Sequence, residues 1–135
     1  MPASLRAAIG RSLGASASAA GYFQQAELTA SDRAAGNQFG ESVAVSAAGT
    51  TALVGANQRH SGAGAVYVFT LRGGTWSQTA ELTATHGAPN DGFGWAVALS
   101  ARGSTALVGA TGHNTLTGAA YVFRLRGAPG PRPPS

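Results

Sequence analysis

The chain has 135 residues, room for one ordinary domain, and only 10% of them are charged. It contains no cysteine, which excludes disulfides, thiolate metal sites and a cysteine nucleophile. The formal charge of +4 is spread thinly, because from Tyr22 to Gly127 six arginines face the five acids Glu27, Asp32, Glu41, Glu81 and Asp91. A nucleic-acid partner needs basic side chains clustered on one face to displace counterions from phosphates, so no nucleic acid is expected. Every basic side chain is arginine rather than lysine, as GC-rich coding produces.

Residues 1–21 carry Arg6, Arg11 and the small-residue run Leu13–Ala20. The run resembles a signal-peptidase site, but the apolar stretch of about 7–15 residues that should precede it is missing. No complete signal peptide is visible, and residues 1–21 are expected to be a disordered or remnant segment. No run approaches the roughly 18 apolar residues of a membrane span.

From Tyr22 the chain reads as short β runs separated by Gly, Asn and Ser turn signals. Strands are expected near 22–29, 39–46, 51–56 and 65–72, then near 76–83, 93–100, 105–110 and 119–126. The run Trp76–Thr83 alternates, which marks a strand with one wet face. In Phe93–Ser100 the large Phe93, Trp95, Val97 and Leu99 take one side and Gly94, Ala96, Ala98 and Ser100 the other. Such a strand is buried on both faces with neighbouring sheets close against it. The runs Thr51–Ala56 and Ala65–Arg72 are nearly free of charge until their ends. After Gly127 the chain enters a Pro-rich tail, 128–135, that is expected to be disordered.

These runs repeat with a period of 54 residues and no gaps. Aligning Tyr22–Gly73 with Trp76–Gly127 gives 28 identities in 52 positions. One half-wet strand and three buried strands per repeat is the gradient of a propeller blade, whose inner strands lie between neighbouring blades. The predicted fold is therefore all-β: two four-stranded antiparallel blades, 22–73 and 76–127, of a partial β-propeller that oligomerisation would complete.

The repeated elements resemble a known family. Phe39-Gly40 with Val54-Gly55-Ala56, and Phe93-Gly94 with Val108-Gly109-Ala110, are similar to FG-GAP repeats. These repeats build the integrin-like propellers of integrin α chains and of many bacterial surface proteins. The proline that closes the family's third motif is replaced by Asn57 and Thr111. The resemblance places the Phe-Gly strand innermost and the Glu-Leu-Thr-Ala strand outermost. The chain order then gives one outer strand, one complete blade and three inner strands of another. Many members bind calcium in an acidic loop after the Phe-Gly strand. Here the corresponding turns, Ser46–Thr50 and Ser100–Ser104, contain no carboxylate, whereas calcium takes about six to eight oxygens including carboxylates. No metal and no cofactor are expected.

The histidines His60, His86 and His113 stand opposite Asn114, Asp32 and Arg59 one period away, so no position keeps histidine and no converging zinc ligand set forms. The acids are not paired in register, and no Gly-x-Ser-x-Gly nucleophile motif is present. The chain is not expected to be an enzyme. In a four-stranded meander the loops 31–38, 57–64, 85–92 and 111–118 emerge along one edge, and they hold most of the divergence between the copies. Binding residues commonly ride on loops carried by a rigid scaffold. The candidate ligand-binding residues are Asp32, Arg33, Asn37, Arg59, His60, His86, Asn90, Asp91, Trp95, His113 and Asn114. The expected function is a non-enzymatic recognition module for protein–protein or adhesion-type contact, extracellular or at the cell surface by the resemblance. Carbohydrate binding and a functionless fragment of a longer FG-GAP protein stand as alternatives. The expected partner is thus a protein or glycan ligand, with a homo-oligomer completing a propeller ring.

Overall fold

The computed structural model describes residues 21–125; the expectations for the two tails beyond them lie outside this range. Seven antiparallel strands form two sheets. The first contains β1 (Ser42–Val45), β2 (Thr51–Ala56), β3 (Ala65–Arg72) and β4 (Thr75–Leu82) in chain order. The second contains β5 (Ala96–Leu99), β6 (Thr105–Ala110) and β7 (Ala119–Arg124). This is one complete propeller blade followed by three strands of the next, the order expected from the repeat.

The register repeats between sheets. Val43 faces Val54 and Val54 faces Tyr67 in the first, and Val97 faces Val108 and Val108 faces Tyr121 in the second. β3 turns into β4 through Gly73-Gly74, both left-handed (φ 57° and 80°). Two positive φ values in a two-residue hairpin match the right-handed twist of the strands they join. β4 alternates between exposed and half-buried residues, whereas β3 is buried over its first five.

Three sequence expectations need correction. The strand in 93–100 is not buried on both faces: β5 alternates exposed and half-buried residues, because only its Val97 and Leu99 side packs against the neighbouring blade. The runs 39–46 and 93–100 shorten to β1 and β5, because the Phe-Gly pairs do not extend the ladder. Gly40 and Gly94 take φ 99° and 95° and donate to the Gly55 and Gly109 carbonyls at 3.0 and 3.1 Å. That left-handed step, open to glycine alone at no cost, breaks the strand and turns the phenylalanine ring inward against Tyr67 or Tyr121. Tyr22–Thr29, expected as a strand, forms none. A strand exists by its hydrogen-bonded neighbour, and among the described residues no third strand of a preceding blade lies beside it. Its end still takes its place: Leu28 packs against the apolar cluster of Val54, Ala56, Tyr67 and Phe69, and Ala30, just beyond the segment, is buried in it.

The larger core lies between the blades. Leu53, Val66 and Val68 of the first sheet meet Phe93, Ala106, Val108 and Ala110 of the second. Bulky residues of the second blade thus face backward onto the first. The corresponding backward face of β1 is open, with Val43 and Val45 exposed, where their counterparts Val97 and Leu99 are packed into the core.

Candidate functional site

The four loops gather along one edge, as the meander requires, and their backbones repeat more closely than their sequences. In 57–64 the residues His60, Ser61 and Gly62 are left-handed, and in 111–118 so are Asn114, Thr115 and Leu116. Hydrogen bonds from Gly62 to Gln58 and from Gly64 to Arg59 recur as bonds from Leu116 to Gly112 and from Gly118 to His113. The turn His113–Leu116 is this same left-handed turn. These loops were expected to be where the copies differ most. They differ in side chains and share one backbone, because the closing bonds join main-chain groups alone.

The shared scaffold carries two different polar clusters. In the first blade Arg59 donates from Nη2 to Asp32 Oδ2 at 2.6 Å, and the Tyr67 hydroxyl donates to Asp32 Oδ1 at 2.9 Å. Glu81 Oε2 lies 3.6 Å from Arg59 Nε and 3.6 Å from His60 Nε2. Burial acts to raise the Asp32 pKa, but the Tyr67 hydrogen bond and the Arg59 charge outweigh it and hold the carboxyl below its ordinary value. Burial pushes the Tyr67 phenol up, and its bond to Asp32 adds to the shift, so the hydroxyl remains a donor. The corner is closed by charge pairing.

In the second blade the corner opens. His113 stands where Arg59 does, and its Nδ1 lies 3.1 Å from Asp91 Oδ2. Asp91 is 5% exposed and also accepts from the Ala88 backbone N–H at 3.0 Å. That backbone bond, followed by the His113 contact, holds its carboxyl below the ordinary value against the opposing effect of burial. His86, Asn90, Asp91, His113 and Asn114 line an open cleft of about 520 Å³, walled further by Pro89 and Leu116. Clefts of this size accommodate a small ligand or a few side chains of a larger one.

Of the eleven candidates, the structure brings Asp32, Arg59 and His60 into the first cluster and His86, Asn90, Asp91, His113 and Asn114 into the second. Arg33 is exposed and joins neither. Asn37 contributes its carbonyl, which accepts from the Gln58 N–H at 3.3 Å. Trp95 is half exposed at the entrance to β5, outside both apolar clusters and away from the cleft. Sequence reasoning missed Tyr67 and Glu81. The signal for the tyrosine was present, since Tyr67 and Tyr121 are one period apart and the latter stacks edge-on against His113.

Among the described residues no group of three or more His, Asp or Glu converges as a metal site, and no helix is long and apolar enough to cross a membrane. The turns Ser46–Thr50 and Ser100–Ser104 close on serine, whose hydroxyl oxygens accept from the Thr51 and Thr105 N–H groups at 3.2 and 3.0 Å.

No curated protein matches the chain. The profile of the FG-GAP repeat matches it twice, over residues 22–69 and 76–123. Those spans cover both Phe-Gly pairs, both Val-Gly-Ala strands and the loops that hold the two polar clusters, and the chain belongs to the FG-GAP repeat family.

Proposed function

We propose that the chain is a non-enzymatic recognition module that binds a protein ligand along its loop edge, in adhesion-type contact outside the cell or at its surface. The observation that carries this reading is the pairing of one loop backbone with two chemistries. Asp32, Arg59, His60 and Glu81 form a polar rim on the first blade, and His86, Asp91 and His113 line a cleft on the second. A scaffold that keeps its framework while varying its loop side chains is built for selecting partners.

Carbohydrate is the second reading, favoured by the polar lining and sugar-sized volume of the cleft. Purified protein applied in parallel to a panel of extracellular-matrix proteins and to a glycan array separates the two. The expected result is binding to a protein that survives chelator and is weakened at least tenfold by Arg59→Ala or His113→Ala. Glycan signal without protein signal would establish the carbohydrate reading instead, and no signal on either surface would remove both.

A further inference from the structure

We infer that a second copy of this chain docks head-to-tail on the open faces of the blade pair, reproducing between chains the contact the two blades make within one. This goes beyond the ligand-binding reading and stands or falls separately from it. The strongest observation is a glycine that nothing nearby requires. Gly55 lies in β2, and a Cβ there would collide with the carbonyl of Gly94 in the next blade. Gly109, its counterpart in β6, has no such neighbour: a Cβ would meet nothing nearer than Ala96 at 3.9 Å. Its φ is not in the left-handed range either, so within the described residues neither backbone nor space calls for glycine. The matching half sits at the other end. A Cβ on Gly94 would meet the Ala65 carbonyl at 2.7 Å, whereas one on Gly40 would meet nothing within 4 Å. Gly109 of one copy and Gly40 of another are the two sides of the approach that Gly55 and Gly94 make.

The backbone at the loop edge is divided in the same way. Between the blades, the N–H groups of Asn90, Gly92 and Phe93 donate to the carbonyls of Ser61, Gly62 and Ala63 at 3.2, 2.7 and 3.0 Å. One period away, the carbonyls of Thr115, Leu116 and Thr117 and the N–H groups of Gly36, Gln38 and Phe39 have no backbone partner among the described residues. Three acceptors lie on the forward face and three donors on the backward face. Leu116 occupies the place of Gly62, which faces Asn90; on the incoming copy that position is Gly36, so the larger residue meets the smaller one.

The apolar surfaces divide likewise. Leu53 and Val68, buried between the blades, correspond to the exposed Leu107 and Val122 on the forward face. On the backward face Val43 and Val45 await the cover that Val97 and Leu99 already have. Docking also gives Tyr22–Thr29 its partner. In the register that pairs Val66 with Leu82 and Tyr67 with Glu81, Ala120 of one copy pairs with Leu28 of the next and Tyr121 with Glu27. The contact is heterologous, so it closes into a ring if the rotation allows and otherwise extends. The incoming 31–38 loop would lie along the open side of the His86–Asp91–His113 cleft and complete its wall.

Sedimentation velocity on the 135-residue chain, across a wide concentration range, tests this. The wild type is expected to associate. Gly109→Val blocks only the forward face and Val43→Asp only the backward face, so each alone should be monomeric with a melting temperature close to that of the unassociated wild-type chain. Mixed one to one, the two should form a dimer through their remaining intact faces. Gly109→Ala, with circular dichroism on every variant, guards against misfolding. A wild type that is monomeric throughout overturns the inference. So does association of Gly109→Val at wild-type strength, or a mixture that stays monomeric; association of one variant alone means a symmetric contact instead.

Discussion

Asp32 lies one period before His86, and Asp91 one period after Asn37, so no repeat alignment pairs the two carboxylates. Both nevertheless reach the base that stands two residues into the second loop of their blade, Arg59 or His113. Each acid is held below its ordinary pKa of 3.8, Asp32 by Tyr67 and Arg59 against its burial and Asp91 by the Ala88 N–H and His113. A carboxyl depressed in the folded chain contributes stability that is complete above its unfolded pKa and is lost as pH falls through the folded value. Both contributions are therefore present at neutral pH and fade below about pH 3.8. Asp32→Asn should cost about 1 kcal/mol at neutral pH, a figure kept low because Asp32 is about one third exposed. The variant should also lose less stability than the wild type on acidification below pH 3.8. Urea denaturation midpoints followed from neutral pH into strong acid read both effects, and parallel acid limbs for variant and wild type would refute the role given to Asp32. The sequence named both acids as loop candidates but could not show that they serve one corner, because their positions in the repeat differ.

Turn signals and nearly charge-free runs located β2, β3, β6 and β7, and alternation located β4, within about one or two residues, since side-chain direction is written in the period of a strand. The same signals overreached at Tyr22–Thr29, because a pattern specifies which way side chains point and not whether a neighbour exists to complete the ladder. They were silent on the left-handed turn shared by 57–64 and 111–118. Gly62 advertises positive φ, but Leu116, at φ 71°, does not. A leucine held there costs about 1–2 kcal/mol relative to a favoured conformation, and such strain persists where the surrounding structure imposes it. Leu116→Gly should therefore raise the stability of the chain by about 1 kcal/mol, less the entropy glycine gains when unfolded. Thermal melts at one protein concentration measure this. A lower melting temperature for Leu116→Gly would mean that its exposed side chain makes a stabilising contact and that the turn is not strained.

The first blade carries a cluster of its own around Tyr67 and Phe69, but the larger apolar cluster exists only where the two blades meet. Leu53, Val66 and Val68 are buried because Phe93, Ala106, Val108 and Ala110 lie over them, and neither sheet keeps that burial if the other unfolds. The hydrophobic contribution is roughly proportional to apolar area removed from water, and the cluster between the blades draws its buried residues from both sheets. The two repeats should accordingly unfold in one transition, although each is a separate sheet. The chain offers a direct measurement, because Trp76 lies in the first blade and Trp95 in the second, and these are its two tryptophans. In Trp76→Phe only the second blade emits, and in Trp95→Phe only the first. Within each variant the fluorescence melt should coincide with the far-ultraviolet circular dichroism melt, as two-state behaviour requires. Leu53→Ala, made in the first blade, removes a fully buried side chain from the shared core and should cost about 2–5 kcal/mol. It should lower the Trp95 transition of the second blade as much as the Trp76 transition of the first. If instead Trp95 reports an unshifted transition while Trp76 melts early, the blades are independent and the core between them does not couple their folding.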